Sequence, residues 1–89
     1  MNYEWDENKR IANAIKHNVD FLDAERFDWS SAIETVDNRA DYKEERWIAL
    51  GFIDSRLHVL IYSLRGDNIR LISLRKANNR ERKYYEEKT

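Results

Sequence analysis

Cysteine and proline are absent from the 89 residues, and glycine occurs only twice. Without cysteine there are no disulfides and no thiolate metal sites, and the default compartment is the reducing cytoplasm. Without proline, and with so little glycine, there is no stretch of linker composition, and neither a low-complexity tract nor an internal repeat is present. The chain therefore reads as one ordered domain over residues 1–89, long enough to bury about 60 to 65% of its unfolded surface in a modest core. Long apolar runs are missing too. The longest, Trp47 to Ile53, is broken by Gly51, whereas a bilayer-spanning helix needs about 20 residues. No signal-like segment opens the chain, so a soluble cytoplasmic protein without membrane contact is expected. The only histidines, His17 and His58, lie too far apart in sequence to suggest a ligand pair. Scattered carboxylates offer at most a weak Mg²⁺ site, so neither metal nor cofactor is expected.

What the chain does have is charge, unevenly placed. Lys and Arg number 16 against 17 Asp and Glu, a formal net of -1. Residues 1–45 hold 12 acids and 6 bases, whereas residues 46–89 hold 5 acids and 10 bases, so net charges of -6 and +5 lie along one sequence. Between Arg70 and Tyr84 six cations gather: Arg70, Arg75, Lys76, Arg80, Arg82 and Lys83. Such a cluster suits a polyanion, and the acidic half suits a basic partner.

Residue periodicity predicts an α+β domain with two N-terminal helices, a four-stranded antiparallel sheet and a C-terminal helix. Met1 to Trp5, with Tyr3 and Trp5 alternating, reads as a short edge strand or an anchor. Asp6 caps a helix to His17 with Ile11, Ala12, Ala14 and Ile15 at helical spacing, and Asn18 suits its left-handed end. Asp20 caps a second helix to about Phe27, burying Phe21, Leu22 and Ala24. A weak strand follows at Ser31 to Val36, and then a meander of Trp47 to Asp54, Leu57 to Arg65 and Ile69 to Arg75, joined by hairpin-length turns. In its last strand, alternation sends Ile69, Leu71, Ser73 and Arg75 one way and Arg70, Ile72 and Leu74 the other. Asn78 and Glu81 have capping-box spacing and start a helix to about Glu87. That helix is short and polar, and needs something to dock on.

Metal-free cleavage of RNA requires a base for the ribose 2'-hydroxyl, cations for the phosphate and an acid for the leaving oxygen. Arg65, Arg75, Arg80 and Arg82 lie near strand ends or a helix start, where guanidinium forks can grip phosphate; Arg65 and Arg75 are expected to hold the scissile phosphate together, with Arg82 assisting from the last helix. Lys16, His17, Glu45 and Tyr84 are candidates for proton transfer, and Arg46 and Lys76 add positive charge for RNA. Structural roles compete with each of these. Lys16 and His17 occupy a last helical turn, where cations gain about 0.3 to 1 kcal/mol from the dipole. Glu45 and Arg46 can be solvated charges, and Arg65 plain turn surface. Trp5, Trp29 and Trp47 supply core area more readily than base stacking. His58, mid-strand among apolar residues, reads as a core or cross-strand residue.

The elements Tyr3-x-Trp5-Asp6-x-x-Lys9, Asn13-x-x-Lys16-His17-Asn18-Val19-x-Phe21-x-x-Ala24, Glu45-Arg46 with Gly51, Arg65-Gly66, and Arg70-x-Ile72-Ser73-x-Arg75-Lys76-Ala77 with Glu81 and Tyr84 together resemble the BrnT toxins of bacterial type II toxin-antitoxin systems. The resemblance implies a RelE-like ribonuclease fold, metal-independent RNA cleavage that arrests translation, and neutralisation by a BrnA-like antitoxin, possible as a heterotetramer that meets operator DNA through the antitoxin. Asn18 stands where that family usually has Gly, and Leu74 where it has a small Ala. A non-catalytic module that docks RNA or protein on its basic rim is the competing class.

Overall fold

The computed structural model describes residues 2–89. In chain order it comprises β1 (Asn2–Glu4), α1 (Glu7–His17), a 3₁₀ helix (Phe21–Arg26), a 3₁₀ turn (Trp29–Ser31), β2 (Ile33–Val36), β3 (Trp47–Ile53), β4 (Arg56–Arg65), β5 (Asn68–Lys76) and α2 (Asn79–Lys88). Among the described residues the strands form one five-stranded mixed sheet, ordered β1-β5-β4-β3-β2. β1 runs parallel to β5 through Asn2↔Asn68, Tyr3↔Ile69 and Glu4↔Arg70, and the other pairings are antiparallel.

The α+β class holds, but the four-stranded antiparallel sheet and the second N-terminal helix do not. The expected segment at Met1 to Trp5 supplies a fifth, parallel strand over Asn2–Glu4, while Met1 lies outside the described residues. Three residues are too few to establish a period of two. The segment after Asp20 is 3₁₀, and its buried residues Phe21, Ala24 and Phe27 fall at intervals of three. That spacing matches 3.0 residues per turn rather than 3.6, which is why Leu22 is not in the core but half exposed.

The sheet separates two apolar clusters. Phe21, Phe27, Ala49, Ile53, Leu60, Tyr62, Ile69, Leu71 and Leu74 pack beneath the 3₁₀ segments with Trp5, Trp29 and Trp47 against them; Leu50, Leu57, Val59, Ile61 and Ala77 receive Tyr85 of α2 on the other face. Each fully buried large apolar side chain is worth about 1.5 to 3 kcal/mol. Aromatic edges lock the first cluster, with Trp5 on Phe21 at 6.0 Å and Trp29 on Tyr62 at 5.4 Å between ring centres. Gly51 is required there, because a Cβ would sit 2.5 Å from the Phe27 ring.

Simple alternation fails in β5. The pairing slips between Ile61↔Ser73 and Tyr62↔Leu71, so β5 carries one extra residue, a β-bulge. Leu74 therefore joins Ile69 and Leu71 in one cluster, while Arg75, paired with Val59, turns to the α2 face. α1 is also rotated from expectation. Ile11 and Ile15 are 50% and 82% exposed, and the inward residues are Arg10, Asn13, Ala14 and His17. Asn13 explains the rotation: its Nδ2 donates to the carbonyls of Leu74 (2.8 Å) and Val19 (3.0 Å), and its Oδ1 accepts from the Leu74 amide (3.1 Å). β1 pairing ends at Arg70, and at Leu74 on the edge beyond it this one amide satisfies both the backbone N–H and the carbonyl.

Candidate active site

The bulge, the helix cap and α1 converge on the C-terminal end of β5. Asn78 Oδ1 accepts from the Glu81 amide (2.8 Å) while Glu81 Oε1 accepts from the Asn78 amide (2.9 Å), the reciprocal capping box of α2. The same carboxylate receives both terminal nitrogens of Arg75, at 2.8 and 2.7 Å. A fork-to-fork pair of this kind is among the stronger charged hydrogen bonds. Arg75 holds the Glu81 carboxyl below its ordinary range, and burial opposes that shift without overcoming it.

His17 lies on the α1 side of this pair, half-buried in the last turn before Asn18, which adopts φ 57 and ψ 35 and donates its amide to Ala14. Its pKa is lowered, first by burial, then by the charges of Lys16 and Arg75. The imidazole is thus biased toward the neutral form, the one able to accept a proton. A shallow hollow of about 240 Å³ beside it is lined by Lys9, Asn13, Lys16, His17, Ile72 and Ser73. From the β2–β3 loop, Arg39 adds a charge felt at both Arg75 and Glu81, and Asp37, buried and held at a pKa of about 2 by Arg39, anchors that arginine through two 2.8 Å bonds.

Lys16, His17 and Arg75 are therefore brought together, and Tyr84 stands one helical turn beyond Glu81 on the same side of α2, 40% exposed. Other candidates are placed elsewhere. Arg65 pairs with Asn68 at the opposite end of β5, seven residues from Arg75, or about 23 Å along the strand. One phosphate cannot reach both. Glu45 is exposed before β3, next to Arg46, whose guanidinium lies 4.1 Å over the Tyr42 ring. Arg82 lines a separate hollow with Arg56, Phe52 and Tyr85, while Lys76 and Arg80 are exposed. His58 is buried opposite Gly51 and Lys76, with Nδ1 2.8 Å from the Arg56 carbonyl. The sequence gives Glu81 a capping role and Asn13 a place in the family-like pattern, but it assigns neither of them, nor Arg39, to the site. A polar residue one turn before Lys16 and His17, and a cap acid six residues after an arginine, were the signals available for two of them.

A family profile described as the ribonuclease toxin, BrnT, of type II toxin-antitoxin systems matches residues 5–81. The chain belongs to the BrnT family. Comparison with individually curated proteins gave no match. As a BrnT toxin it is a ribonuclease of a type II system, and such a toxin has an antitoxin partner. The match takes in Lys16, His17, Arg75 and Glu81, and ends before Arg82 and Tyr84. Among the described residues of this BrnT chain, no three His, Asp or Glu side chains converge as a metal shell, and no helix is long and apolar enough to cross a membrane.

Proposed function

We propose that the end of β5 cleaves RNA by internal transfer, without a metal ion. Neutral His17 takes the proton of a ribose 2'-hydroxyl as that oxygen bonds to the adjacent phosphorus. Arg75 stabilises the extra charge on the phosphate oxygens, and the P–O5' bond breaks as the 5'-oxygen receives a proton from Tyr84 or Lys16. The products are a 2',3'-cyclic phosphate and a 5'-hydroxyl. The observation that carries this reading is geometric: Asn13 bonds α1 to Leu74, the residue before Arg75, and so sets the half-buried His17, one turn later, at the Arg75 end of β5; burial first, then the charges of Lys16 and Arg75, lowers the proton affinity of that imidazole. Lys76, Arg80 and Arg46 extend positive charge for the strand on either side, Arg65 and Arg82 bind it more remotely, and Glu45 takes no proton. Cleavage of this kind in the cytoplasm arrests translation. A BrnA-like antitoxin covers the basic rim and blocks RNA entry, as a toxin-antitoxin heterotetramer that meets operator DNA only through the antitoxin.

Incubation of the purified chain with RNA in EDTA tests the reading. Cyclic-phosphate ends are expected, with Arg75→Ala and His17→Gln each slowing cleavage by about 10²-fold or more. Intact RNA, or cleavage that returns only with added Mg²⁺, refutes it. The engagement of Arg75 by Glu81 favours a second reading, a binding module whose clamp is already filled. Under that reading RNA binds, remains whole, and Arg75→Ala changes affinity alone.

A further inference from the structure

On the sheet face opposite Arg75 lies a second cavity, of about 580 Å³, that the ribonuclease chemistry does not use. Its walls are Tyr3, Phe27, Trp29 and Tyr62, and its acids are Glu25 and Glu34. The rings stand steeply to one another, Trp29 at 90° to Tyr62 and 64° to Phe27, so they form walls rather than a stack. Polar bonds fix them. The Trp29 indole donates to the Tyr3 hydroxyl at 2.7 Å, and the Tyr62 hydroxyl donates to Glu34. Glu34 keeps further acceptor capacity, as any ionised carboxylate does with one donor bound. Among the described residues no Lys or Arg lines the cavity, and the acidic half of the sequence supplies all but three of its lining residues.

Among the described residues, aromatic walls with two carboxylates at the side and no Lys or Arg in the lining suit an organic cation. We propose that this pocket holds an arginine or lysine side chain presented by a partner protein. A protein is favoured over a free cation because Leu64, 57% exposed, sits at the rim, where neighbouring residues of a bound segment cover apolar surface that a lone guanidinium leaves wet. The volume lies in the usual range for ligand pockets. The inference stands apart from the ribonuclease reading, since it concerns the other face of the sheet and needs no catalysis.

A short peptide with one central arginine, and the same peptide with citrulline, which has the shape without the charge, would be titrated into the chain. The three tryptophan indole N–H signals are followed by NMR. A saturable shift of the Trp29 signal is expected, with the citrulline peptide roughly tenfold weaker and Glu34→Gln several-fold weaker. That variant retains an acceptor for Tyr62, and an unchanged spectrum without peptide shows that it is folded. Equal response to arginine and citrulline, or no saturable shift at Trp29, overturns the proposal. Free arginine amide binding as tightly as the peptide overturns its partner-protein part.

Discussion

Burial and two neighbouring cations act on His17 in the same direction, and all three disfavour its protonated form. A general base works only when unprotonated, so the sign is simple. Cleavage should fall on the acid side, with an apparent pKa below the ordinary imidazole value of about 6.5, and be flat near pH 7. Lys16→Met removes one of the cations and should move the His17 titration upward, measured from its ring-proton NMR signals. A wild-type His17 titrating at or above 6.5 would exclude this assignment. Ile15 makes the opposite point about legibility. By helical spacing it belongs to the core stripe, yet it is 82% exposed, because the inward position is taken by Asn13 and its hydrogen bonds to β5. Ile15→Lys is therefore expected to change folding stability by about 0.5 kcal/mol or less in urea denaturation, not the 2 to 5 kcal/mol of a core truncation.

At the level of elements, what was legible is what depends on neighbours in sequence. The α1 cap at Asn18, the hairpins at Asp54 and Gly66, and the Asn78–Glu81 box are local hydrogen-bonding devices, and their residue types announce them. Pairing across distance is not announced. β1 is defined only by its parallel partner more than sixty residues away, and the β5 bulge only by its register against β4. That bulge decides the site, since without it Arg75 would share the face of Leu71 and miss Glu81. Glu81 then serves two elements, closing the box on α2 and holding the guanidinium on β5. Under the proposed function an RNA phosphate competes for that guanidinium. Glu81→Gln keeps a capping-box residue while removing the competing charge. It should tighten binding of RNA bearing a 2'-deoxy block at the scissile position by several-fold, with α2 intact by circular dichroism. Unchanged or weaker binding would show that RNA does not contest the Arg75 fork.

Across the whole molecule, two arginines of the basic half of the sequence stand far apart. The extents are 32 × 26 × 25 Å, so the distance of about 23 Å between Arg65 and Arg75 along β5 spans most of one dimension. Sequence alone grouped both arginines on one phosphate, because strand ends look alike until the topology says which end is which. Two phosphates several nucleotides apart are the physical alternative, with Arg75 acting in the chemical step and Arg65 only in holding the strand. Arg65→Ala should therefore raise KM for a long RNA while leaving kcat near wild type, and leave a very short substrate unaffected. It should also lower the salt dependence of long-RNA binding by about one phosphate contact. Combined with Arg75→Ala, the losses in kcat/KM should add, with a coupling of about 0.5 kcal/mol or less, as for residues that share no partner. A strong coupling, or a fall in kcat with Arg65→Ala alone, would bring the two arginines back to one phosphate and require the sheet to deliver them to it by a rearrangement far larger than side-chain motion.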